Sequence, residues 1–161
     1  MGLDQRIIIF KDAADAREVV RLDEEAHGFE CMGLPEDVEK NHGKIAEIEG
    51  ATDNLVWYGR KVNCIHGWVE DEYGPDINVR YLAVNAVELH DAVKSKLAAL
   101  RSKDTNPDNP DLMLLPPTAG FFFGSQNEDE FYLSDLEELD KFLDDAAAEY
   151  DELHAVYWSW Y

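Results

Sequence analysis

The chain has 161 residues, 45% of them apolar, with 35 acidic against 14 basic side chains and a formal net charge of −21. That length suits one domain with a real core, and the apolar content with four Trp residues excludes a disordered acidic chain. So negative a surface repels nucleic acid and anionic membranes, favours basic partners, and fits a chain adapted to high salt.

Arg6–Phe10 is a β-branched run and reads as a strand. Asp12–Glu25 predicts an amphipathic helix with Ala16, Val19, Val20 and Leu22 on its apolar side, ended by His27-Gly28-Phe29. Cys31 to Gly50 reads as irregular, with a short helical stretch from Pro35 to Lys40 in which Pro35 suits a first helical position. Around Trp57–Val69, the residues Leu55, Tyr58, Val62, Ile65 and Val69 recur at three and four, which predicts a central helix. Thr52 or Asp53 would cap it and Tyr73-Gly74-Pro75 would stop it.

Asn78–Val84 reads as a second strand. Asn85 and Glu88 then form a capping-box pattern that opens a helix running to about Lys103. Its buried set is Val87, Leu89, Val93, Leu97 and Leu100, while Lys94, Lys96, Arg101 and Lys103 favour its C-terminal end electrostatically. Asp104–Pro117 is a loop, since Asn106-Pro107, Asn109-Pro110 and Pro116-Pro117 exclude regular helix. Thr118–Ser125 (TAGFFFGS) reads as a strand or hairpin arm, followed by an acidic, aromatic turn over Asn127–Tyr132. Ser134 and Glu137 make a second capping box for a helix to about Tyr150, and His154–Tyr161 is β-prone. From Gln126 to Glu152 there are twelve acids against one base, Lys141.

Cys31 and Cys64 belong to no CxxC or Cys/His array, so free thiols in a reducing cytoplasm are expected. No run of about 18 apolar residues exists to span a membrane, and the charged opening MGLDQR resembles no signal peptide.

The central stretch holds the candidate site. His66 falls inside the apolar face, Arg60 and Asn63 flank it, and Gly59 lies on nearly the same line two turns earlier. Arg60 and Lys61 suit a phosphate or carboxylate, and Asn63 and His66 can hydrogen-bond a base edge. Trp68, Phe122 of the triple-Phe segment and Tyr132 complete the set, the rings offering a face to stack on. The plainer alternative makes His66 a core histidine bonded to Asn63 or a backbone carbonyl, pairs Arg60 and Lys61 with the 128–130 acids, and leaves the Phe run in the core. Catalysis has less behind it. There is no GxSxG, P-loop or HExxH, and Asp129, Glu130, Asp135 and His154 match no metal-ligand spacing. Cys64 and His66 sit two residues apart, about 200° apart around a helix, which rules out a dyad there.

Three blocks in order carry a resemblance. They are Met1–Asp4; Tyr58, Arg60, Lys61, Asn63, Ile65, His66 and Trp68; and Gly120–Ser125 followed by Asp129, Glu130, Phe131, Tyr132 and the Leu133–Leu136 helix start. With these the chain resembles a set of small phage, prophage and bacterial proteins of unassigned function. They share an MGLD opening, a Tyr-x-Arg-Lys-x-Asn-x-Ile-His-x-Trp segment and a Gly-Phe-Phe-Phe-Gly segment. The blocks anchor about half of the chain. Gln5-Arg6 interrupts the opening block, and Gly59 stands where the family often has Trp or another large residue, which would leave a cavity or open the pocket. The resemblance implies a shared fold and pocket, and no activity.

The expected fold is a single α+β domain, a small and mostly antiparallel sheet packed with about three helices. Its strands would be Arg6–Phe10, Asn78–Val84, Gly120–Gly124 and His154–Tyr161. The expected function is that of a cytoplasmic, phage-type accessory protein binding a nucleotide or other small anionic ligand without turnover. Its sites would be Arg60, Lys61, Asn63, His66, Trp68, Phe122 and Tyr132, with no catalytic residue, metal or cofactor. The alternatives are an acidic interaction protein that mimics nucleic acid or binds a basic host protein, and a hydrolase using His66. The sequence leaves the oligomeric state open.

Overall fold

A computed structural model describes residues 2–103, 105–120 and 124–161. The chain begins with β1 (Asp4–Phe10), then α1 (Ala13–Cys31), α2 (Pro35–Glu49), β2 (Leu55–Arg60) and α3 (Asn63–Tyr73). It continues through β3 (Tyr81–Val84), α4 (Ala86–Arg101), a 3-10 turn (Pro110–Met113), α5 (Glu130–Glu149) and β4 (His154–Trp160). The strands form one antiparallel sheet in the order β2-β1-β4-β3, and the fold is α+β, as expected.

The sheet is organised by β1, which pairs with β2 on one side and β4 on the other. Ile7, Ile8, Ile9 and Phe10 have no exposed surface. Because side chains alternate along a strand, Ile7 and Ile9 join the core of α3, α4 and α5, while Ile8 and Phe10 join a smaller core under α1 and α2. Five helices cover the two faces, and the α1–α2 hairpin takes one face alone.

The predicted central helix is two elements. Leu55–Arg60 pairs residue by residue with β1, and its exposure alternates: Val56 and Tyr58 are outward, Trp57 and Gly59 inward. The three-and-four spacing across 55–69 therefore joins residues of a strand and a helix that share a core without sharing a helix face. Lys61, at φ +63°, makes the corner, and its N–H donates to Leu3 O at 2.7 Å. Gly59 opens no cavity. A Cβ there would lie 2.3 Å from the Trp57 ring, so the indole covers the glycine. Thr52 and Asp53 precede β2 and cap no helix; Asp53 pairs with Lys11.

Other boundaries shift for local reasons. Asp12 caps α1 through its side chain, and the helix continues past Gly28 to Cys31. The segment expected to be irregular forms α2, with Pro35 at its first turn and Asn41 and Ile45 buried; Asn41 donates to Leu22 O across the hairpin. Tertiary burial here outweighs the interruptions from Gly33 and Gly43. Strand β3 is shorter than Asn78–Val84 because Val79 adopts φ +59° and the Asp23 carboxylate takes Arg80 and the Tyr81 N–H. Helix α5 starts at Glu130, four residues before the predicted start, because Asp129 accepts from Phe131 and Tyr132 N–H. Phe121–Phe123 lie outside the described residues, and Gly120 and Gly124 belong to no strand. No helix among the described residues is long and apolar enough to cross a membrane.

The connector between α4 and α5 crosses α3 at Gly67. A Cβ on Gly67 would lie 1.8 Å from Thr118 Oγ1 and 3.0 Å from Thr118 Cβ. Gly67→Ala should therefore destabilise the protein by about 1–3 kcal/mol, despite a helix-propensity gain of about 1 kcal/mol. Adding Thr118→Ala should recover most of that loss. Urea unfolding of the single and double variants tests this, and equal stability of Gly67→Ala and wild type would refute the close crossing.

Candidate functional site

The β2–α3 corner, the segment entering α5 and the first turns of α5 enclose a cavity of about 340 Å³. Arg60, Lys61, Asn63 and Cys64 line one wall; Ser125, Asp129, Phe131, Tyr132 and Asp135 line the other. The cavity adjoins the N-terminus of α3, whose cap residue Val62 supplies no side-chain hydrogen bond. Helix N-termini attract negative charge through their N–H groups and aligned peptide dipoles.

Four of the seven predicted residues meet here, in differing roles. Arg60 is exposed and lies 3.9 Å from the Asp4 carboxylate. Lys61 is exposed, and no carboxylate among the described residues pairs with it. The expected pairing of Arg60 and Lys61 with the 128–130 acids is replaced by Lys96, which takes Glu128. Asn63 is buried and fastens the connector: Nδ2 donates to Ser125 O at 2.6 Å, and Oδ1 accepts from Thr118 N at 3.0 Å. Tyr132 offers its ring, while its hydroxyl donates to Leu115 O at 2.7 Å.

His66 and Trp68 lie elsewhere. His66 has no exposed surface and is absent from the cavity wall. Gln5 Nε2 donates to Val62 O, so its Oε1 accepts the Tyr157 hydroxyl proton. The Tyr157 oxygen, 2.8 Å from His66 Nδ1, must then accept from that nitrogen, which fixes the tautomer. Nε2 faces the Glu70 carboxyl at 3.4 Å. Burial pushes the His66 pKa down to about 4 and the Glu70 carboxyl upward. The histidine is thus a core residue, as the plainer reading had it, although its partner is a tyrosine. Trp68 is half-buried and meets Tyr73 edge-on. Phe122 lies outside the described residues.

Several site residues escaped the sequence reading. Asp135 lines the cavity, and burial, with the nearby Glu138 and Asp129 charges, raises its pKa to about 6. Phe131 stands at the wall, 71% exposed. Lys96 is fully buried; Nζ donates to Leu112 O and Glu128 Oε1, both at 2.6 Å, and lies 5.8 Å from the Tyr132 ring centroid. Its place between Val93 and Leu100 at three and four was a legible signal of burial. Cys64 is held as a thiol, its pKa pushed by burial to about 12, so it is no nucleophile. Asp129, Glu130, Asp135 and His154 do not gather: Asp129 caps α5, and His154 lies beside Glu152.

No family model matches the chain, and neither a curated protein nor a solved structure shows significant similarity to it.

Lys96→Ala should cost about 2–4 kcal/mol, since it leaves a cavity and strips the Leu112 carbonyl of its donor. Lys96→Met, which keeps most of the volume, should cost less; urea midpoints for both variants decide, and an unchanged Lys96→Ala would show that the ammonium fastens nothing. Asp135 has a second signature. Its folded pKa lies above the ordinary carboxylate value, so the unfolded chain ionises first and stability falls as pH rises from about 4 to 6. Asp135→Asn should remove that loss and gain about 1–2 kcal/mol at pH 7, with no gain at pH 3.5. Parallel pH–stability curves for variant and wild type would contradict this.

Proposed function

We propose that the protein binds a small anionic ligand, a nucleotide or another small phosphate or carboxylate, without turning it over, in the manner of a phage-type accessory protein. The observation that carries this reading is the placement of Arg60, Lys61 and the uncapped α3 N-terminus on one cavity in a chain of net charge −21. The cationic wall supplies the charge complement, and Phe131 with the Tyr132 ring supplies apolar surface for a base. Asn63 and Lys96 act indirectly, by holding the connector that closes the cavity.

Two other readings have less support. A hydrolase using His66 needs an accessible imidazole, and His66 is sealed from solvent. An α5 that mimics nucleic acid would spend part of its charge on α4, where Glu137 pairs with Arg101 and Asp144 with Lys94.

Proton linkage gives the proposal a direct test. An anion beside Asp135 favours the protonated carboxyl, so binding should tighten as pH falls through about 6. Thermal unfolding against a panel of nucleotides and inorganic phosphate should show a stabilising ligand at pH 5.5 and a smaller effect at pH 7.5. Lys61→Ala should weaken the effect about tenfold, and Asp135→Asn should abolish the pH dependence. A panel that leaves the unfolding temperature unchanged at both pH values would overturn the proposal.

A further inference from the structure

Helices α4 and α5 bring together three metal-ligand side chains that the anion cavity does not use. His90 on α4 points Nε2 at two carboxylates one turn apart on α5: Asp140 Oδ1 at 3.2 Å and Asp144 Oδ1 at 3.4 Å. All three donor atoms lie within 4.8 Å of one another. Ligands held about 2.0–2.1 Å from Zn²⁺ in a tetrahedron are spaced about 3.3–3.4 Å apart along each edge. The 3.2 Å and 3.4 Å separations are close to that edge, and all three donors are near enough for one ion to span.

Burial grades the three ligands. The His90 and Asp140 side chains are 11% and 20% exposed, while Asp144 is 54% exposed. Two ligands are thus fixed by helix packing and the third can adjust, with an open side for a water as fourth ligand. One imidazole with two carboxylates suits a borderline ion such as Zn²⁺, whereas Mg²⁺ and Ca²⁺ want oxygen alone. Lys94, one turn after His90, places its ammonium 2.7 Å from Asp144 Oδ1. Lys94 is thus a competing cation, itself 48% exposed.

We infer that His90, Asp140 and Asp144 form a Zn²⁺ site that clamps α4 to α5. It is independent of the anion cavity. If the site binds zinc, removing Lys94 should tighten binding at one stoichiometric site that needs Asp144; a plain ion-pair cluster takes up no stoichiometric zinc with or without Lys94.

The test is calorimetric titration of the full chain, stripped of metal, with Zn²⁺, alongside Co²⁺ followed by its visible absorption. The expected result is one site per chain with the intense visible bands of low-coordinate Co²⁺. Asp144→Asn and His90→Gln should each weaken it at least tenfold, and Lys94→Ala should tighten it severalfold. Asp144 is exposed, so its variant decides the matter even if His90→Gln perturbs folding. Many weak equivalent sites, indifferent to Asp144→Asn, would show an acidic surface collecting cations and overturn the inference. Zinc affinity unmoved by Lys94→Ala would overturn it too.

Discussion

Four consecutive apolar residues, Ile7 to Phe10, leave the second half of β1 with no polar face, and this constraint sets the architecture. Each fully buried side chain of this size favours folding by about 1.5–3 kcal/mol, so both faces of the strand must be covered. The chain meets the demand unevenly. The α1–α2 hairpin is local in sequence and covers Ile8 and Phe10, whereas Ile7 and Ile9 need α3, α4 and α5, drawn from most of the remaining chain. β4 then pairs directly with β1, Asp4 opposite Trp160, so the sheet closes by pairing segments far apart in sequence.

The larger face carries polar groups within its apolar packing, and several of them bond to distant partners. Gln5 on β1, Tyr157 on β4 and His66 on α3 form one chain of hydrogen bonds that ends on the carbonyl of Val62. That chain fixes the start of α3 against the sheet, at the same corner where Arg60 and Lys61 emerge. Lys96 does comparable work from α4. Its ammonium holds Leu112 and Glu128, on either side of the described connector segment, so that Leu115 and Thr118 lie across Tyr132 and α3. Asn63 and Tyr132 in the cavity wall are therefore committed to structure, whereas Arg60, Lys61 and Asp135 are among its groups able to meet a ligand.

The acidity of the chain is also partly structural. Along the α4–α5 contact, Arg101, Lys94 and His90 face Glu137, Asp144 and Asp140, which lets two charged helices pack side by side. Exposed pairs of this kind contribute little individually. Their effect is orientational: they register α5 against α4, and they bring the imidazole of His90 between two carboxylates.

Read alone, the sequence determined the elements whose signals are local. The β1 run, the Asn85 cap of α4, Pro35 at a helix start and the β-prone C-terminus all state their structure within a few residues, and the α+β class follows from them. It also placed Arg60, Lys61, Asn63 and Tyr132 near one another. What it could not decide is where a periodicity changes partner. The apolar spacing from Leu55 to Val69 satisfies a helix, and only pairing with β1 makes the first half a strand. His66 was read inside the apolar face with Arg60 beside it; the change from strand to helix at Lys61 parts them, leaving Arg60 exposed and His66 in the core against Tyr157. Lys96 and Asp135 take their meaning from a connector whose path no local pattern specifies. Burial of a charge depends on which distant groups arrive to receive it, and that is a property of the packed chain.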